Sequence, residues 1–191
     1  MSDIYSAKNY LRLLGLPGLS DTLLTNHFAL YEGYVKNTNA LVNLLEAKEP
    51  GTPEYAELQR RFGWEWNGMR LHELYFENLS KEPTALADGV LKEKIEQRYG
   101  GVDNWQKGFA GIAAMRGIGW VILYQDPVSG ELFSTWINEH DMGHLSGCTP
   151  LVVMDVFEHA YMTDYGIKKA DYIDVFFRSI DWNCVAKRFV S

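Results

Sequence analysis

Two long runs without a helix breaker, split by one compact turn, set the architecture of the first half of the chain. Leu16-Pro17-Gly18-Leu19-Ser20 marks a turn, and Ser20 or Asp21 can cap the first long run. Residues 22–45 then contain no proline and no interior turn cluster apart from Gly33. Pro50-Gly51-Thr52-Pro53-Glu54 ends that run and opens a second, carrying Trp66, Leu71, Leu74 and Leu79, which stops near Glu82-Pro83. Two helices of this length joined by one short turn predict an antiparallel hairpin.

Beyond the hairpin the period changes. Residues 85–99 place Leu86, Val90, Leu91 and Ile95 at helical spacing, with Gly100-Gly101 beyond the end, and a fourth helix is expected over 102–114. Residues 117–124 and 131–137 are β-rich runs around Asp126-Pro127-Val128-Ser129-Gly130, a hairpin signal, and 150–153 supplies a third short apolar run. Helices over 158–165 and 170–188 are expected to close the chain. The fold class is therefore α+β. An N-terminal α-helical hairpin domain is expected over 1–84, followed by a C-terminal α+β domain over 85–191 with a small, three-stranded antiparallel sheet.

With 18 basic against 25 acidic residues the net charge is −7. Counterion release on a polyanion needs clustered Lys and Arg, so a nucleic-acid partner is not expected. No stretch reaches the roughly 18 uninterrupted apolar residues of a membrane span. Cys148 and Cys184 stand apart without C-x-x-C spacing, and residues 1–10 lack the basic-then-apolar run of a signal peptide, so a cytoplasmic location is expected.

Five histidines and two cysteines leave a short list for any transition-metal site. Asp155-Val156-Phe157-Glu158-His159 follows an apolar strand, and a carboxylate and an imidazole four residues apart can converge on one ion. The same residues also read as a helix cap and a packed core histidine. His27 lies among Leu23, Leu24, Phe28 and Leu30, and His72 among Trp64, Trp66, Leu71 and Tyr75. Each alone reads as a satisfied core histidine. Together, three histidines and one aspartate in apolar surroundings would each need a partner if buried, and one metal ion satisfies all four.

Asp155-Val156-Phe157-Glu158-His159-Ala160-Tyr161, Asp171-Tyr172-Ile173 and Asp181-Trp182-Asn183-Cys184-Val185-Ala186-Lys187-Arg188-Phe189 resemble, in order and spacing, the C-terminal part of iron/manganese superoxide dismutases. The usual forms there are D-V-W-E-H-A-Y, D-Y and N-W-x-x-V-A-K-R-F. Arg116-Gly117-Ile118-Gly119-Trp120-Val121-Ile122 is a weaker echo of the family's G-S-G-W-x-W-L strand. The resemblance implies one iron or manganese ion per subunit, between the two domains, on His27, His72, Asp155 and His159 with one solvent molecule. It implies dismutation of superoxide to oxygen and hydrogen peroxide as the ion cycles between its 3+ and 2+ states. It also implies a homodimer in which Glu158 reaches the partner's metal-binding histidine, with Tyr31 and Tyr161 in the surroundings of the ligands and the dimer contact.

Several positions depart from the family pattern. Tyr34, seven residues after His27 instead of eight, still lies on the His27 face of a helix and is the candidate for the tyrosine at the substrate gateway. Tyr31 stands where a second histidine is usual, and Met162 where a tyrosine usually bonds it. Phe157 and Ile118 replace tryptophans that line the metal pocket. Gly68 occupies the position from which iron enzymes commonly offer a glutamine to the metal-bound solvent. His140 then becomes the candidate donor to that solvent, with His144 as competitor. Lys36 and Lys169 are candidates for guiding an anion. Two further readings stay open: a non-haem iron oxygenase, which would need vacant coordination positions, and a metal-binding member of the fold with weakened turnover.

Overall fold

The computed structural model describes residues 3–190. Ser20 caps the first long helix: its Oγ accepts the Leu23 N–H at 3.1 Å, and α1 runs Asp21–Ala47. Thr52 caps α2 (Pro53–Asn78) by accepting the Tyr55 N–H at 3.3 Å, with Pro53 where a missing N–H loses nothing. Partners between the two helices run in opposite order, Asn37 with Glu65, Tyr31 with Glu73 and His27 with Phe76, so the hairpin is antiparallel.

α3 (Val90–Tyr99) begins at Val90 and not at residue 85. Leu86 packs against the core from the loop before it, so its apolar character reports burial and not helix. α4 is Val102–Ala113. The sheet is the expected three-stranded antiparallel one, β1 (Gly119–Gln125), β2 (Leu132–Asn138) and β3 (Thr149–Asp155), in the order β2-β1-β3. Every residue of the central β1 is buried. Its register sets Trp120 opposite both Ile137 and Asp155, which brings the carboxylate at the end of β3 beside the indole.

The closing helices are shorter than their apolar spacing predicted. Residues 158–165 divide into a 3-10 turn (Glu158–Ala160) and one helical turn, α5 (Met162–Tyr165). The stretch 170–188 breaks into α6 (Lys169–Arg178) and α7 (Trp182–Ala186). At the second break Ile180 bridges to Leu79, Ser80 donates to the Ser179 carbonyl, and Asp181 donates to the Asn78 carbonyl. Backbone groups committed to the end of α2 cannot also continue a helix. One cluster of buried side chains runs from Leu13 and Leu23 through Tyr75, Trp120 and Val153 to Val185. Among the described residues no helix is long and apolar enough to cross a membrane.

Candidate metal centre

α1 contributes His27, α2 His72, the end of β3 Asp155, and the 3-10 turn after it His159. Asp155 Oδ1 accepts the Phe157 N–H at 2.8 Å, which turns the chain so that His159 faces back toward the same carboxylate. The Asp155 main-chain carbonyl accepts the Tyr172 hydroxyl at 2.7 Å. With the aspartate held at both ends, Oδ2 becomes the point of convergence: the Nε2 atoms of His159, His27 and His72 lie 3.1, 3.2 and 3.6 Å from it. One donor atom from each of the four residues lies within 4.8 Å of the others. His27, His72 and Asp155 are buried, and the His159 side chain is 28% exposed.

The donor set fits a cation. His72 Nδ1–H donates to the Gly68 carbonyl at 2.6 Å, which fixes the tautomer and leaves Nε2 with a lone pair. That lone pair, without a hydrogen-bond partner, points toward a carboxylate oxygen. Burial also pushes the His72 imidazole below the ordinary histidine value, so no second ring proton bridges its contact with Asp155. Burial alone would raise the Asp155 carboxyl, but the nearby His159 charge and the hydrogen bonds of His159 and His27 outweigh it and hold the group well below the usual carboxylate range. The spacing of the carboxylate oxygen from the three imidazole nitrogens, 3.1–3.6 Å, is close to that of neighbouring donors on an ion with bonds of about 2.1 Å. Three imidazoles with one carboxylate suit either iron or manganese.

Tyr34 and His140 meet beside this cluster. The Tyr34 ring stacks on His72 with centroids 5.1 Å apart, and its hydroxyl is 2.8 Å from His140 Nε2. His140 Nδ1 accepts the Trp120 indole N–H at 3.1 Å, so Nε2 carries the ring proton and donates it to the Tyr34 oxygen. Burial lowers His140 to about 4, so the ring is neutral near pH 7. Burial likewise pushes the Tyr34 hydroxyl above the ordinary tyrosine value. Gly68 gives Tyr34 its room: a Cβ there would stand 2.6 Å from Tyr34 Cδ1. The space a longer side chain at residue 68 would need is filled by this ring.

His144 does not compete for the cluster, because both of its ring nitrogens are bonded elsewhere, to Tyr124 and to the His140 carbonyl. Tyr31 turns its hydroxyl away from the ligands, donating to Glu73 Oε1 at 3.0 Å and accepting the Lys8 N–H at 3.0 Å. Glu73 is the partner that sequence spacing did not reveal, since the contact joins two helices. Of the two residues expected at tryptophan positions, Phe157 does line the pocket, stacked between His140 and His159 with centroids 4.7 and 5.2 Å away. Ile118 does not. It is 41% exposed, and Trp120, 5.0 Å from His72, forms that wall instead. Tyr161 is buried and stacks on Tyr172. Glu158 is exposed, in a surface cavity it shares with Arg116, Met162 and Lys169. Lys36 is exposed on α1, and Lys169 Nζ donates to the Met115 carbonyl at 2.7 Å.

Residues 87–188 match the model of iron/manganese superoxide dismutases, C-terminal domain. The chain belongs to the iron/manganese superoxide dismutase family. It is 38% identical over 183 residues to a superoxide dismutase [Fe] of Cupriavidus metallidurans, covering 92% of this chain and 91% of that one. It is 36% identical over 191 residues to a superoxide dismutase [Fe] of Aquifex pyrophilus, covering 95% and 89%. It is 34% identical over 178 residues to a superoxide dismutase [Mn] 2 of Haloferax volcanii, covering 91% and 88%. This dismutase-family chain thus resembles iron and manganese relatives to nearly the same degree, and it carries the clustered His27, His72, Asp155 and His159 of a possible metal site. Four protein donors in one cluster do not favour the oxygenase reading, which needs open positions.

Proposed function

We propose that the protein is a superoxide dismutase that binds one iron or manganese ion per subunit through His27, His72, Asp155 and His159. The observation that carries this reading is the buried, unpartnered His72 Nε2 lone pair facing Asp155 Oδ2. The bound ion supplies one-electron redox chemistry, converting superoxide to oxygen and hydrogen peroxide.

The surrounding residues hold and move protons. Because His140 donates Nε2–H to Tyr34, the Tyr34 hydroxyl keeps its own proton available to the pocket. His140 and Tyr34 therefore form the proton-donating side of the site. Phe157, Trp120 and Tyr34 enclose the imidazoles and limit water. Residues 1–84 and 85–191 act as two domains that share the ion.

The assembly we propose is a cytoplasmic homodimer formed through the face that carries Glu158. Met115, Met162 and Ile167, the last 93% exposed, surround Glu158 there and would be covered by a second copy. The Glu158 carboxylate would then reach the partly exposed metal-binding histidine of the second copy, and Tyr161 would support the contact from behind.

Protein loaded separately with iron and with manganese is the test. Superoxide consumption by at least one form is expected. Unchanged superoxide decay with both, at full metal content, would leave only the weakened-turnover reading.

A further inference from the structure

His144 is the one histidine outside the proposed centre, and its bonds tie it to that centre. Its Nε2–H donates to the His140 carbonyl at 2.9 Å, and its Nδ1 accepts the Tyr124 hydroxyl at 2.6 Å. A carbonyl oxygen only accepts, so the Nε2–H tautomer is fixed and Nδ1 is left for the tyrosine proton. Tyr124 is itself anchored in β1, opposite Phe133 on β2.

The loop gripped in this way is tight. Asn138 and Met142 exchange both N–H groups, at 2.8 and 3.3 Å. Glu139 and Gly143 take left-handed backbone conformations, with φ of 50° and 104°. These constraints fix the base of the reversal. The His140 carbonyl lies within it and is bonded by His144, while the His140 ring is bonded by Trp120 and Tyr34.

We propose that His144 is a positioning residue: the line from Tyr124 through His144 to the His140 carbonyl sets where the His140 Nε2–H stands relative to the metal ligands. The inference rests on the proposed function, which gives His140 its task. Groups that orient the surroundings of a metal typically change affinity or activity by about 10–100-fold when removed.

The test uses His144→Leu, His144→Gln and Tyr124→Phe, each loaded separately with iron and manganese. The readouts are metal content, superoxide consumption and the reduction potential of the iron form. His144→Leu is expected to change the ratio of iron-supported to manganese-supported activity by about tenfold and to move the potential. Tyr124→Phe should shift both in the same direction by less. His144→Gln, whose amide N–H can reach the His140 carbonyl, should stay close to wild type. An unchanged ratio and potential in His144→Leu, or a glutamine variant that behaves as the leucine variant does, overturns the inference. If His144→Leu does not fold, Tyr124→Phe decides alone, and wild-type values in it overturn the inference. A wild-type protein inactive with both metals defeats the dismutase reading instead, a result distinct from either.

Discussion

Replacing Gly68 by alanine isolates the packing that holds Tyr34. The new Cβ would stand 2.6, 2.8 and 3.1 Å from Tyr34 Cδ1, Cε1 and Cγ, so the ring must retreat by about 1 Å to regain ordinary contact near 3.5–4.0 Å. Little freedom exists for that retreat, because the ring stacks on His72, touches Trp64 and is bonded to His140. Overpacking costs about 1–3 kcal/mol and a lost hydrogen bond about 1 kcal/mol, while alanine regains about 1 kcal/mol over glycine in a helix. The net loss is about 1–3 kcal/mol, or roughly 2–12 °C in Tm for a chain of this size. Gly63 in the same helix is the internal control: nothing lies within 4 Å of a Cβ there, so Gly63→Ala should stabilise by about 1 kcal/mol. Calorimetry on both variants, with superoxide consumption measured alongside, gives the comparison. A Gly68→Ala protein that melts at or above wild type, as an open helical glycine would allow, refutes the close-packing reasoning.

His27→Ala should lose most of its bound metal by elemental analysis, and full metal content would remove His27 from the proposed ligand set. Tyr34→Phe keeps the ring but loses the bond to His140, so a loss of about 1 kcal/mol and slower superoxide consumption are expected at unchanged metal content. The folded His140 titrates near 4, below its unfolded value of about 6.5, so its contribution is fully present above pH about 6.5. It falls by at most about 3 kcal/mol as pH drops to about 4. His140→Gln should flatten that part of the Tm-against-pH curve, and an identical slope in the variant counts against the assignment. Glu158→Ala should shift the sedimentation equilibrium toward monomer; an unaltered profile speaks against a dimer contact at that residue.

What could be read in advance divides by the range of the interactions. The starts of α1 and α2 were legible because Ser20 caps within three residues of itself and the Pro50–Glu54 turn places a proline in the first turn of α2. The four clustered donors were legible because burial forces each to find a partner and few residues could serve. The break at 179–181 was not, since it depends on Leu79 and Asn78 at the far end of α2. Nor could spacing show that Tyr31 would bond Glu73, or that Trp120 would fix the His140 tautomer, because each pairing joins separate elements. Leu86 misled because apolar character marks a position as fit for burial without saying which element buries it, whereas Ile118 was set at a tryptophan position although the quoted strand pattern aligns it with the serine and Trp120 with the first tryptophan.

The proposed ligand set is spread far along the chain: His27 and the only carboxylate of the set, Asp155, are separated by 128 positions. A nascent chain that has released only its helical hairpin offers two imidazoles and no carboxylate. The set is complete only once β3 has paired with β1 and residue 159 has emerged. Capture of the proposed ion then cannot be complete before residue 159 is released, and that ion would close a loop of well over a hundred residues, so its binding energy would become folding energy. On this reading, whether iron or manganese is retained depends as much on which ion meets the closing fold as on the donors that receive it.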